Sequence, residues 1–403
     1  MNVCVVAEYY PRRRDRVLGV WAHRQALAAR DAGADVTVLA LERPVPPAAA
    51  LKAASRGDPG PLARELGGAA RQPRRELLDG LEVEYVRFLA PPRGRSYSRW
   101  HGWAGPPLRR ALERTHHARP LDLVHAHYAL PAGGAARPFA AAHRLPLVVS
   151  VHGGDILGRQ LAAPGARAEV AGVLRAARAV LCNSAFTLDR AAALAGTAER
   201  MRVVHLGAEA PPDPPPRRDG PAVASLGHLV ERKRHADVLH ALARVRDRLP
   251  GLRWVVIGDG PEAPALESLA AELGVGDMVD WHGRLEPEDA LTELARCHLM
   301  ALPSVDEAFG VAYVEALACG VPAIGCRGEG GPEEIAALGD GMILVPPHDP
   351  PALAEAIAAT LGDPGRLEEL STAAQRTARE HFSWEGCGRA TVAAYRDALA
   401  AAG

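Results

Sequence analysis

Aromatic side chains are scarce, at 4% of the 403 residues. Apolar residues still make up 48% of the chain, enough for two aliphatic cores and too long a chain for one ordinary core. No apolar run approaches the ~20 residues that a membrane helix needs. The opening Val3-Cys4-Val5-Val6-Ala7 stops at Glu8 and a cluster of arginines, so no spanning segment or leader is expected and the chain should be cytoplasmic. Paired cysteines are also missing. Cys4, Cys182, Cys297, Cys319, Cys326 and Cys387 lie apart with no C-x-x-C spacing, which argues against a disulfide framework or a zinc ribbon. No Asp-x-Asp pair is present to hold a metal, no internal repeat is visible, and neither metal nor cofactor is expected.

Neither sign of charge dominates the whole chain, whose net charge is -1. The distribution is uneven. Residues 1–210 carry 30 Lys+Arg against 18 Asp+Glu, a balance of +12, and the rest carry 17 against 30, a balance of -13. Ordinary solvation accounts for this, as does a first half that faces an anionic partner. That partner would be an acidic acceptor or the inner face of a cell membrane touched peripherally. Nucleic acid is not expected.

What is present is an alternation of short apolar runs and helical stretches, the pattern of doubly wound α/β sheets. Val3–Ala7 reads as a buried strand, and Gly19 opens a helix at Val20–Ala32. Pro44–Gly80, rich in Ala, Pro and Arg, has no clear period and reads as a variable insertion. Arg93–Arg119 sets Trp100 and Trp103 among arginines, as an interfacial patch, a place of acceptor entry, or a helix hairpin with a solvated basic face. Strand Leu147–Val151 ends in His152-Gly153-Gly154-Asp155, a ligand-facing loop in open α/β sheets; Asp155 there either serves an acceptor or caps a helix. PPDPPPRRDGP, residues 211–221, reads as a stiff linker between domains 1–210 and 222–380, with a terminal helix in 381–403.

The second half opens with a strand, then Gly227 and the adjacent cations Arg232 and Lys233. A bidentate guanidinium and a point charge together suit a diphosphate. Turns at Gly258 and at Gly283-Arg284 follow. The most informative stretch is PSVDEAFGVAYVEALACGVPAIGCRGEGGPEEI, residues 303–335. It spaces Glu307 and Glu315 eight positions apart around Phe309-Gly310-Val311, where a helix begins. Amides at a helix start attract phosphate, glycine allows close approach, and carboxylates accept pairs of hydroxyl donors. Two solvated glutamates on a surface helix are the simpler alternative. A Gly-rich loop is expected at Gly328–Gly331.

This stretch resembles the Glu-x7-Glu signature of retaining GT-B glycosyltransferases of family 4. Arg232 and Lys233 resemble that family's phosphate-binding pair. The His-Tyr-Ala-x-Pro-x-Gly run from His127 and the His-Gly-x-Asp run from His152 are similar to those of bacterial cell-surface polysaccharide enzymes. The resemblance implies two Rossmann-like domains facing a cleft, with a terminal helix crossing back to the first. It implies transfer of a sugar from a UDP- or GDP-sugar to a hydroxyl of a glycan, lipid-linked or small-molecule acceptor, with retention. It places His152, Glu307, Arg232 and Lys233 in catalysis. Gly19, Gly227, Arg232, Lys233, Gly258, Gly283, Arg284, Glu307, Phe309, Gly310, Val311 and Glu315 would bind the donor, and Asp155, Trp100 and Trp103 would meet the acceptor. The pattern departs at the first loop, where only Gly19 stands for Gly-Gly, and at His228, where the family has Arg. A nucleotide-sugar epimerase or hydrolase, or a non-catalytic binding subunit, are the other readings.

Overall fold

The computed structural model describes residues 1–46, 48–163 and 165–401. The chain divides into two compact units, Met1–His205 with Glu385–Gly403, and Leu206–Trp384. In the first, β1 (Asn2–Ala7), β2 (Asp35–Glu42), β3 (Arg75–Leu78), β4 (Leu81–Arg87), β5 (Leu123–His127), β6 (Leu147–Val151), β7 (Ala179–Cys182) and β8 (Met201–Val203) form one sheet. Its order is β3-β4-β2-β1-β5-β6-β7-β8. Neighbours are parallel except β3 and β4. Parallel strands are covered on both faces, so β1, β5, β6 and β7 are continuous buried runs.

The second unit has β9 (Ala222–Leu226), β10 (Arg253–Ile257), β11 (Val279–Gly283), β12 (Leu299–Ala301), β13 (Ala323–Cys326) and β14 (Met342–Val345). They pair in parallel in the order β11-β10-β9-β12-β13-β14. The strand order reverses direction between β1 and β5 in one unit and between β9 and β12 in the other. Loops leaving neighbouring strands diverge at such a point, and ligands of open α/β sheets bind there, beyond the carboxyl ends of the strands.

Four expectations are corrected. Within Pro44–Gly80, helices Ala48–Ser55 and Gly60–Arg71 are followed by β3, so the segment from Ala48 on is structured. Ala, Leu, Glu and Arg are strong helix formers, which compensates for the lack of buried residues in Gly60–Arg71. β3 then turns into β4 through Asp79 (φ 49°) and Gly80 (φ 81°), with Leu78 opposite Leu81. Two successive positive φ angles define the tight hairpin that an Asp-Gly pair favours.

Arg93–Arg119 is not a hairpin. One helix, Trp100–Ala118, runs through Pro106 and Pro107 after short turns at Arg93–Arg99. Trp100, Ala104, Leu108, Ala111 and Leu112 recur at helical spacing on its buried face. Their packing into the core outweighs the amide donors lost at the two prolines. Trp100 is therefore core, 4% exposed, with its indole N–H donating to the Pro91 carbonyl and Ser96 Oγ. It offers no ring to an acceptor or a membrane. Trp103 is exposed. Finally, Gly330 and Gly331 belong to a helix, Gly330–Leu338, and not to a loop.

The last helix, Trp384–Ala400, lies almost wholly in the first unit. Gln25 Nε2 donates to Thr391 Oγ1 at 3.0 Å, and Gly388 packs against the Ala28 carbonyl where a Cβ would sit 2.2 Å away. All six cysteines are free and buried. No described helix is long and apolar enough to cross a membrane.

The Asp-Gly turn should be sensitive to side-chain bulk. Replacing Gly80 by alanine puts a Cβ on a positive φ and is expected to cost about 1–2 kcal/mol, read as a lower melting temperature in thermal denaturation. An unchanged melting temperature would show that β3 does not depend on this turn.

Candidate active site

In the second unit the loops after β9 and β12 meet across the switch point. The Val305 amide donates to the Arg232 carbonyl at 2.8 Å. The Lys233 ammonium lies 2.5 Å from Glu307 Oε2, and Arg232 Nη1 reaches the same oxygen at 3.4 Å. Ser304 Oγ donates to it at 3.1 Å and also contacts the Tyr313 hydroxyl at 2.8 Å. Glu307 and Lys233 are buried, whereas Arg232 is exposed. Burial works to raise the Glu307 pKa, but Lys233, Arg232 and Ser304 outweigh it and hold the carboxyl below its usual value.

The Glu307 backbone is held as well. Its amide donates to Glu329 Oε2 at 2.9 Å, and its carbonyl accepts from Gly331 at 3.2 Å. Gly331 must be glycine, since a Cβ would lie 2.1 Å from the Phe309 carbonyl oxygen. Gly310, at φ 85°, precedes helix Val311–Ala318. A Cβ on Gly310 would meet the Tyr313 ring at 2.3 Å. Glu315 is part-exposed on this helix, about a turn and a half beyond Gly310. Phe309 is buried and packs on Phe382, so its ring serves the core and not a ligand.

The neighbouring loops interlock. A Cβ on Gly258 would sit 1.9 Å from the Gly227 carbonyl oxygen, and the Gly258 amide donates to the Gly283 carbonyl at 2.8 Å. Arg284 and His228 are exposed, and His228 Nδ1 lies 2.5 Å from the Asp259 carbonyl. The structure thus brings Arg232, Lys233, Glu307 and the start of the Val311 helix to one place. Gly227, Gly258 and Gly283 form the adjoining backbone wall. Ser304, Tyr313 and Glu329 escaped sequence reasoning. Glu329 lay in the most informative stretch, but nothing in its spacing showed that it would hold an amide.

In the first unit, His152 follows β6. Its Nε2 lies 3.1 Å from Nδ1 of His127, the last residue of β5, and the rings stack at 10°. The outer nitrogens, His152 Nδ1 and His127 Nε2, are shielded from water and have no partner. One inner nitrogen must donate to the other, so the outer pair is always one donor and one acceptor. Beside them, His125 contacts Tyr395 at 2.7 Å and Ser150 at 2.8 Å. His125 and His127 share a face because strand residues two apart do, a signal legible in the sequence. Burial pushes His152 and His125 down to about 3 and lowers His127 too, where the neighbouring histidines add to the effect.

Asp155 is buried and does not meet an acceptor. Its carboxylate accepts from the amides of Ala129 at 3.0 Å and His152 at 3.1 Å. Burial raises its pKa to about 6 against those amides. It ties the loop after β5 to the loop after β6. Gly19 packs against the Tyr9 backbone, where a Cβ would come within 2.1 Å.

Two mostly parallel sheets of this topology, each with loops that meet at a switch point, are the architecture of the GT-B fold. Residues 18–211 match the family described as Glycosyltransferase Family 4, and residues 208–379 match Glycosyl transferases group 1. The chain belongs to this family of group 1 glycosyltransferases and is an enzyme of that class, using a nucleotide sugar. A D-inositol 3-phosphate glycosyltransferase of Acidothermus cellulolyticus is 30% identical over 403 residues, covering 93% of this chain and 83% of that one. A GDP-mannose-dependent alpha-(1-6)-phosphatidylinositol monomannoside mannosyltransferase of Mycolicibacterium smegmatis is 28% identical over 261 residues, covering 60% of this chain and 68% of that one. Among solved structures, sucrose-phosphate synthase of Thermosynechococcus elongatus superposes with a TM-score of 0.76 at 19% identity, covering 100% of both chains. Anabaena Alr3699/HepE in complex with UDP and glucose gives 0.72 at 19% identity, covering 98% of each.

Two outcomes are expected. Lys233→Met leaves Glu307 buried with weaker compensation, so adding Glu307→Gln should recover part of the lost stability. A double-mutant cycle read by denaturant unfolding should give a coupling of about 1–3 kcal/mol; strict additivity would remove the pair from the account. The depressed histidines set a pH dependence. Below about 6.5 the unfolded chain takes up protons that the native cluster refuses, so stability falls as pH drops from 6.5 towards 3. Asp155 opposes this between its ordinary value and about 6, but the three histidines outnumber it. Melting temperatures at pH 7.5 and 5 should therefore differ less in His127→Gln than in the wild type.

Proposed function

We propose that this glycosyltransferase moves a hexosyl group from a UDP- or GDP-sugar to an acceptor hydroxyl, with retention at the anomeric carbon. The observation that carries the reading is the assembly of Arg232, Lys233, Glu307 and the Gly310–Val311 helix start at one switch point. Breaking the sugar–phosphate bond builds negative charge on the departing diphosphate. Arg232, which is exposed, offers a guanidinium fork to it. Lys233 donates one N–H to Glu307 and has two more for a phosphate oxygen. Amides at Gly310 and Val311 add the positive end of the helix. These groups are fixed before the reaction and supply the stabilisation without an added metal.

Glu307 is assigned to the donor sugar and to holding Lys233 in place. Glu315 is assigned to the nucleotide ribose, whose vicinal hydroxyls suit a carboxylate. Gly258, Gly283 and Arg284 are assigned to the base and its surroundings. His152 is assigned to turnover and not to nucleotide binding. The departing phosphate is the base that takes the acceptor's proton, so no side-chain nucleophile is required.

The relatives' names favour two choices within this reading. One is named for GDP-mannose, and several for inositol phosphate acceptors. A UDP donor stays in view because the solved Anabaena relative holds UDP. The acceptor is a glycan, a lipid-linked saccharide or a small polyol phosphate. A cytoplasmic enzyme working beside the membrane fits the basic first half.

The test combines binding and turnover. Calorimetry with UDP and GDP should show that Glu315→Ala weakens binding of the preferred nucleotide about tenfold or more, as loss of hydrogen bonds from a charged group implies. His152→Ala should leave that affinity unchanged and lower kcat. Proton NMR of the first-formed product should show the anomeric configuration of the donor. Inversion, or equal loss of nucleotide binding in both variants, would overturn the assignment.

A further inference from the structure

The loops that follow β12 and β13 are tied together from both sides. Glu329 lies in the loop after β13, directly before helix Gly330–Leu338. Its Oε2 accepts from the Glu307 amide at 2.9 Å, and the Asp306 amide donates to the same carboxylate. In return, the Glu307 carbonyl accepts from the Gly331 amide at 3.2 Å. Successive amides turned towards one anion form a nest, in which one residue takes the left-handed conformation. Asp306 is that residue, at φ 54°. A side chain makes this conformation costly, and it persists where the surroundings impose it. Here the nest is filled by the chain's own carboxylate.

The Glu329 side chain does not serve its own helix. It stands at the N-cap of Gly330–Leu338 and makes no capping bond there, a task that Ser, Thr, Asp or Asn performs better. Its surroundings also oppose its charge. Burial raises its pKa and the carboxylates of Asp306 and Glu307 add to this, against the two amides. What offsets the cost of setting it beside two other carboxylates is its hold on the backbone at Asp306 and Glu307.

That hold reaches the cations through Glu307. The Oε2 of Glu307 gathers the Lys233 ammonium at 2.5 Å, Ser304 Oγ at 3.1 Å and Arg232 Nη1 at 3.4 Å. The direction in which this carboxylate points follows from the backbone that carries it. From these observations we infer that Glu329 is a positioning residue for the donor diphosphate. It fixes the backbone of Glu307 and, through the Glu307 carboxylate, the place of the Lys233 ammonium. The inference rests on the donor reading proposed above and adds to it a residue that acts only through another. Small displacements matter here, because hydrogen bonds weaken steeply as their geometry departs from linear and short.

Calorimetry on the full chain with GDP, UDP, GMP and UMP tests this. The wild type should bind the diphosphate of one base more tightly than its monophosphate. Glu329→Ala should weaken that diphosphate about tenfold and leave the monophosphate within about twofold, which also reports that the variant folds. Glu329→Gln, which keeps one acceptor oxygen and sets an amino group in place of the other, should lose about threefold, and it carries the comparison where Glu329→Ala fails to fold. In a Glu307→Ala background, adding Glu329→Ala should change diphosphate affinity by less than about twofold, since the link to Lys233 is already cut. Equal weakening of diphosphate and monophosphate would make Glu329 merely structural and overturn the inference, as would an additive loss in the double variant. Loss of the diphosphate preference in Lys233→Met but in neither Glu329 variant would remove Glu329 and leave the donor reading standing. A wild type without that preference would overturn the donor reading itself.

Discussion

The contact on which the donor side depends is the 2.5 Å ion pair between Lys233 and Glu307. It joins the loops leaving β9 and β12, the two strands between which the sheet order reverses. Two buried charges are tolerable there because each is hydrogen-bonded and Arg232 and Ser304 share the same oxygen. The pair does more than neutralise charge. It ties an ammonium to the carboxylate three residues before the glycine N-cap of a helix, a position that cannot bear a side chain.

The first unit solves a different problem. Although residues 1–210 carry an excess of twelve positive charges, the loops at its switch point carry the uncharged rings of His127 and His152 and, beside Tyr9, the paired charges of Glu8 and Arg93. Burial keeps His125, His127 and His152 unprotonated, and the carboxylate of Asp155 is consumed in pinning two loops. The basic character of this half belongs to its surface.

The C-terminal helix connects to the histidine cluster through its side chains. Tyr395 contacts His125, which contacts Ser150 on β6, one strand over. The end of the chain thereby buttresses the strands that carry His127 and lead to His152. Gly388, pressed against the Ala28 carbonyl, sets the closeness of that packing. Long-range contacts of this kind have no local signature, since the residues involved are hundreds of positions apart.

Much of the fold and part of the site were legible beforehand. Continuous apolar runs such as VCVVA and LVVSV are dictated by strands covered on both faces, and Glu-x7-Glu with Gly310 marks a helix start by local chemistry alone. The Asp79-Gly80 turn was equally local, though composition hid it inside an Ala-rich segment. Burial is the property that local pattern misjudged. Trp100 sat among arginines in sequence yet faces the core, because helical spacing sets it on one face with Ala104, Leu108 and Leu112, with Arg93 stacked over its ring. Likewise Asp155, read as either an acceptor contact or a helix cap, binds amides from two loops. Residue types and short-range spacing specify strands, turns and the chemistry a loop can offer. Which loops meet, and so whether a carboxylate finds a lysine, an amide or solvent, follows from strand order, a property no single segment contains.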